Sequence, residues 1–169
     1  MSHNIGKKLR QAADIIAVLG GGDGVSHYLG ASVCGASHEG EYFMQDKTYD
    51  LTVTVVPRYV PEQSQPSADE YLFAYTVTIA NTGSRPAQVI ARHWVITDAT
   101  QHQHEVRGLG VVGKQPLLAP GESFEYTSAC PLKTPVGTMR GTYHCVGENG
   151  IPFDVAIPEF MLAMPSTLH

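Results

Sequence analysis

From Met44 onward, apolar and polar side chains alternate with a period of two, the signature of half-buried β-strands. Leu51, Val53 and Val55 alternate with Thr52, Thr54 and Val56. Tyr71, Phe73, Tyr75, Val77 and Ile79 alternate with Leu72, Ala74, Thr76 and Thr78, and this run stops at the turn residues Asn81, Thr82 and Gly83. Further strands are predicted over 89–97, 105–111, 123–129, 138–146 and 151–157, which makes seven. Proline and glycine punctuate the gaps, and no 3.6-residue stripe of useful length intervenes. Parallel strands require long crossover connections, so the sheets are predicted antiparallel. The expected fold class is all-β: an antiparallel β-sandwich of about seven strands, of fibronectin type III or immunoglobulin kind. Trp94 on the third strand occupies the place where such sandwiches bury a tryptophan. Tyr143, two residues before Cys145 on the sixth strand, occupies the place of a tyrosine corner.

The first 43 residues read differently. Lys7, Lys8 and Arg10 precede the apolar group Ile15 to Leu19, but Asp14 interrupts it, and Gly20 to Gly24 follow where a signal-peptide cleavage site would sit. The expectation is a short amphipathic helix over 5–19, ended by glycines, and a flexible Gly/Ser/His-rich linker over 20–41. Residues 1–43 are thus expected to be a flexible extension, with Met44 a candidate natural start, and 44–169 the folded domain.

Composition narrows the function. The chain has 169 residues, 43% hydrophobic and 16% charged, in keeping with one domain. A net charge of -5 removes the basic footprint on which binding to nucleic acid or an anionic membrane depends, so neither partner is expected. No apolar run approaches the ~20 residues of a membrane span, and a soluble, cytoplasmic protein is expected. Three cysteines, Cys34, Cys130 and Cys145, with no C-x-x-C spacing, support neither a disulfide framework nor structural zinc. Cys145 is expected to be a small buried hydrophobe, and Cys130 inert.

Several runs carry a specific resemblance. Gln63-Ser64-x-Pro66, Tyr71-x-Phe73-Ala74-Tyr75, Arg92-His93-Trp94-x-Ile96-Thr97-Asp98, Glu105-Val106-x-Gly108-x-Gly110-Val111-Val112-Gly113-x-Gln115-Pro116, Pro120-Gly121-Glu122-x-Phe124-x-Tyr126-Thr127-Ser128 and Ile157-Pro158-x-Phe160 together resemble the ApaG family, from about Thr48 to Pro165. The resemblance implies a small fibronectin-III-like sandwich and brings no catalytic mechanism. It also implies a protein-interaction role, since a similar domain is carried by some eukaryotic F-box proteins and by a protein that interacts with DNA polymerase delta. Bacterial relatives lie near genes for a diadenosine-tetraphosphate hydrolase and a ribosomal RNA dimethyltransferase, and some are linked to cobalt tolerance and magnesium efflux.

The chemistry-bearing candidates are few. Gly108 to Gly113 spells G-x-G-x-x-G, but Pro116 and Pro120 forbid the helix that a dinucleotide site requires. What survives is an anion cradle of backbone N–H groups at Gly108, Gly110 and Gly113 with Arg107 and Lys114 as counter-charges, set against a glycine-rich bend in the sheet or a protein-binding loop. Arg92 and His93 are candidates for a recognition edge, against a half-buried, satisfied histidine. His102 and His104 are weak metal candidates of unspecific spacing, and no cofactor is expected. Ser128 lacks a nucleophile elbow, and Glu122 and Glu125 fall on opposite faces of one strand, so no enzyme is expected. The segment 57–70, with Tyr59, Pro61, Pro66 and Tyr71, is expected to be an exposed connection of the kind that binds partners. Exposed edge strands allow pairing, but the sequence selects none. The expected function is a non-enzymatic protein-interaction or regulatory module connected to divalent-cation (cobalt/magnesium) homeostasis. The alternative is a phosphate- or nucleotide-binding protein, or a weak phosphohydrolase, built on the Gly108–Gly113 loop.

Overall fold

The computed structural model describes residues 48–165; the expected helix over 5–19, the linker, Cys34 and Met44 lie outside them. Eight strands form in chain order: β1 (Leu51–Tyr59), β2 (Tyr71–Asn81), β3 (Ala87–Asp98), β4 (Gln103–Leu109), β5 (Leu117–Leu118), β6 (Ser123–Leu132), β7 (Val136–Gly147) and β8 (Pro152–Ala163). Two single-turn 3₁₀ segments, Pro61–Gln63 and Pro66–Ala68, lie between β1 and β2. All ladders are antiparallel. One sheet has the order β1-β2-β6. The other has the order β4-β3-β7-β8, with β5 pairing the same edge of β3 beyond β4. Two such sheets face to face make the fibronectin-III-like sandwich that the alternation predicts.

The strand count is eight rather than seven because Leu117–Leu118 is too short to show periodicity. It is fixed by pairing with Ala87 and Gln88. Three strands also run past prolines that would end a central strand. Pro57 lies on β1 and Pro131 on β6, both edge strands, and β8 continues through Pro158 because a bulge opposite Arg140 absorbs the missing N–H there.

The core lies between the sheets. Phe73, Val77, Ile79, Val89, Tyr143 and Leu162 are fully enclosed, and Trp94 meets Tyr75, Tyr143 and Phe160 in tilted or edge-on ring contacts. Cys130 and Cys145 are both buried in this core, and burial pushes each thiol up to about 12. Tyr143 departs from the tyrosine-corner expectation. Its hydroxyl pairs with that of Tyr126 across the core, not with a backbone group.

The connection over 57–70 is less open than its prolines suggest. Val60 is fully buried against Ala74 and Ala129 on the outer face of the first sheet, and Tyr71 is buried in the core. Ser64 locks the connection, donating to Val60 O at 2.8 Å and accepting from Leu72 N at 2.9 Å.

Candidate functional site

Strands β3 and β4 carry most of the candidate residues, and their register decides what each can do. Arg92 shares the inward face of β3 with Trp94 and Ile96 and stands opposite Gly108. A Cβ on Gly108 would lie 3.2 Å from the Arg92 guanidinium, so the bare glycine makes room for it. Arg92 Nη1 then donates to Leu109 O at 3.1 Å and Gly110 O at 2.7 Å. Arg92 is therefore a clamp on the chain leaving β4. Its charge also opposes the effect of burial, which holds the hydroxyls of Tyr75, Tyr126 and Tyr143 far above the ordinary tyrosine range.

His93 is the next residue and faces the opposite side of the sheet. Its Nε2 pairs with Glu105 Oε2 at 2.9 Å, and Arg107 Nη2 donates to the same oxygen at 3.1 Å. The hydrogen bond from His93, and then that from Arg107, holds the Glu105 carboxyl below its ordinary range. Arg92 and His93 thus do not form one recognition edge, because alternation sends them to different faces.

The glycine-rich loop is a hairpin turn. Val111 N donates to Lys114 O and Lys114 N to Val111 O, with Val112 at φ 48° and Gly113 at φ 74°, the signs of a type I′ turn. Gly110 N donates to Ile90 O. Gly110, one of the three cradle N–H groups, and its neighbours Val111 and Lys114 are therefore already bonded to carbonyls. The counter-charges diverge as well. Arg107 lies on the solvent face of its sheet, whereas Lys114 Nζ stands 5.9 Å over the Phe124 ring of the other sheet. Three large apolar side chains of the loop face solvent, Leu109 at 76% exposed, Val112 at 43% and Leu117 at 62%, beside the exposed Lys114 and Gln115. Sequence reading concentrated on the glycines and missed these three side chains; Leu109 falls inside the strand predicted over 105–111, and Val112 and Leu117 outside every predicted strand.

The other candidates stand apart. His102 belongs to the turn after β3, where Asp98 Oδ1 accepts from Thr100 N, Thr100 Oγ1 and His102 N at 2.7–3.0 Å. The Thr100 hydroxyl, then the backbone donors, lower the Asp98 carboxyl. His104 is exposed on β4. Among the described residues, no group of three or more His, Cys, Asp or Glu side chains converges as a metal site would require. Ser128 is buried and hydrogen-bonds with Tyr75. Glu122 caps the turn before β6 by accepting from Ala119 N, and Glu125 accepts from Thr78 on the outer face of β2. A shallow groove of about 340 Å³ beside Tyr71 and Leu132 holds one ion pair, Lys133 with Glu70 at 3.1 Å. No helix among the described residues is long and apolar enough to cross a membrane.

Comparison with known proteins places this geometry. The ApaG domain family matches residues 61–147, which span the second half of the 57–70 connection through β7. Protein ApaG of Bordetella pertussis is 76% identical over 123 residues, covering 73% of this chain and 94% of that protein. Protein ApaG of Ralstonia nicotianae is 67% identical over 121 residues, covering 72% and 98%. The crystal structure of an ApaA protein from Bordetella pertussis, 76% identical, superposes with a TM-score of 0.70 over 72% of this chain and 98% of its own. A second solved structure, 44% identical, has a TM-score of 0.67 over 73% and 92%. With the strand order, the Arg92 clamp on Gly108 and Gly110 and the matched residues all falling in one domain, the chain belongs to the ApaG domain family.

Proposed function

We propose that this chain is a non-catalytic, cytoplasmic protein-interaction module whose docking element is the 109–117 loop. The observation that carries the reading is an apolar surface held on a braced, strained turn. Leu109, Val112 and Leu117 project into solvent, and Val112 occupies a positive-φ position that a β-branched residue rarely adopts. Such strain is kept where the surrounding structure over-determines it, and it concentrates at sites of recognition. Arg92 beneath the loop and the Gln115 Nε2 bond to Ile90 O at 2.8 Å supply that restraint. A preorganised apolar loop binds a partner at lower conformational cost than a mobile one. The polar groups that would serve catalysis are each occupied elsewhere: Ser128 in the core, Glu122 in a turn, and Glu105 with His93 and Arg107. In this reading the connection to cobalt and magnesium homeostasis runs through the partner.

The test replaces the three apolar side chains together, as Leu109→Gln, Val112→Asn and Leu117→Gln, and compares affinity capture from lysate with the unaltered protein by quantitative mass spectrometry. One or more proteins should fall about tenfold or more in recovery, equivalent to about 1.4 kcal/mol, with the unfolding midpoint retained. Equal recovery of the same proteins, or nothing enriched above a fold-matched control, overturns the reading.

A further inference from the structure

The two sheets have four edges, one of them shared by β4 and the two-residue β5, and prolines stand on the other three: Pro57 in β1, Pro131 in β6, and Pro152 and Pro158 in β8. Proline withholds an N–H and discourages another strand from pairing there. Strand β4 carries none. The side chains that could shield its edge are drawn onto the outer sheet face, Glu105 to His93 and Arg107 to Glu105.

The backbone phase along β4 follows from its two ends. Asp98 N donates to His102 O and Gly110 N donates to Ile90 O, in the register that pairs Trp94 with Val106. In an antiparallel ladder the bonded pairs alternate. Even-numbered residues of β4 therefore turn their N–H and C=O groups toward β3, and Gln103, Glu105 and Arg107 turn theirs to the open edge.

We infer that β4 is a self-association edge, pairing antiparallel with β4 of a second copy about a twofold axis through Val106. The charge pattern selects this occupant and this register. With Val106 on the axis, Glu105 falls opposite Arg107 of the partner subunit, and Arg107 opposite Glu105 of the partner subunit, so the strand is complementary to itself. Moving the axis to Glu105 or to Arg107 sets like charges directly opposite each other. The Val106 register also brings outward-facing backbone groups together, with Glu105 and Arg107 forming bonded pairs on both sides of the axis. The product is one continuous sheet through both molecules, joined by a single strand contact, so the association is weak and concentration-dependent. It involves neither Val112 nor Leu117; Leu109, the last residue of β4, is the one side chain it shares with the loop reading.

The test is analytical ultracentrifugation of the full chain from about 10 µM to about 1 mM, the range in which a weak dimer populates. Mass should rise toward a dimer with concentration. Glu105→Arg and Arg107→Glu, both at exposed positions, should each weaken self-association about tenfold or more, because every copy then meets its like charge. Mixed one to one, the two variants should associate within about threefold of the unaltered protein, since Glu105→Arg is complementary to Arg107→Glu in this register. Unchanged unfolding midpoints show that the variants are folded. A protein that stays monomeric through the whole range overturns the inference. So does a dimer that persists in either single variant, or a mixture that fails to associate.

Discussion

Val112 and Gly110 sit two residues apart at positive φ, and they make opposite demands. At Val112 the first central position of a type I′ turn holds a β-branched residue where Asn is preferred. Val112→Asn is expected to stabilise the protein by about 1 kcal/mol, read as an upward shift of the urea midpoint. At Gly110 a Cβ would lie 2.3 Å from Lys114 O, a backbone atom that cannot swing away. At Gly113 the same atom would meet open space. Gly113→Ala should therefore cost only the left-handed penalty of about 1–2 kcal/mol, and Gly110→Ala clearly more. Equal costs at the two positions would mean that the hairpin relaxes around Gly110. The sequence showed that these glycines matter for backbone shape, but not which of them is packed. That depends on Lys114 returning over Gly110, which only the folded turn creates.

Among elements, the β3–β4 pair is where sequence and structure diverge most. Alternation correctly placed Trp94 inside, and the same rule applied one residue on separates Arg92 from His93. What alternation lacks is register. The contact of Arg92 with Gly108 and the hydrogen bond of His93 with Glu105 join residues 12 or more positions apart, through a ladder whose phase no local pattern sets. Likewise β5 has two residues and no period, and β8 passes Pro158 through its own bulge, where Pro158 and Glu159 together face Arg140. Replacing Arg92 with Met should cost about 1.5–3 kcal/mol, since two carbonyls lose a charged donor. Amide exchange should quicken first at Gly110 and Lys114. The turn joining the two strands carries a pH signature. The donors around Asp98 lower its carboxyl below the ordinary aspartate range, so it contributes stability in full above that range and loses it as pH falls through the depressed one. The difference in thermal midpoint between the unaltered protein and Asp98→Asn should be constant near neutrality and shrink below about pH 4. A difference that does not change with pH would assign the effect to geometry alone.

At the scale of the molecule, one core cluster joins both sheets, and it contains Cys130 on β6 of one sheet and Cys145 on β7 of the other. Burial pushes each thiol up to about 12, so neither is a thiolate in the folded protein at pH 8. Reaction requires opening, and an opening that frees either thiol must part the sheets that enclose both. In a Cys34→Ala background, both thiols should be silent to a disulfide reagent in native buffer. As urea is added they should label at one common rate, with a urea dependence equal to that of global unfolding. Two rates would mean that the β1-β2-β6 sheet peels away from the other in a separate step, and would divide the sandwich into two cooperative units. Fast labelling of Cys130 alone would place the weak seam at β6, beside the ring of Phe124 on which Lys114 rests. Such a seam would loosen the base of the 109–117 loop, and with it the preorganisation on which the proposed docking depends.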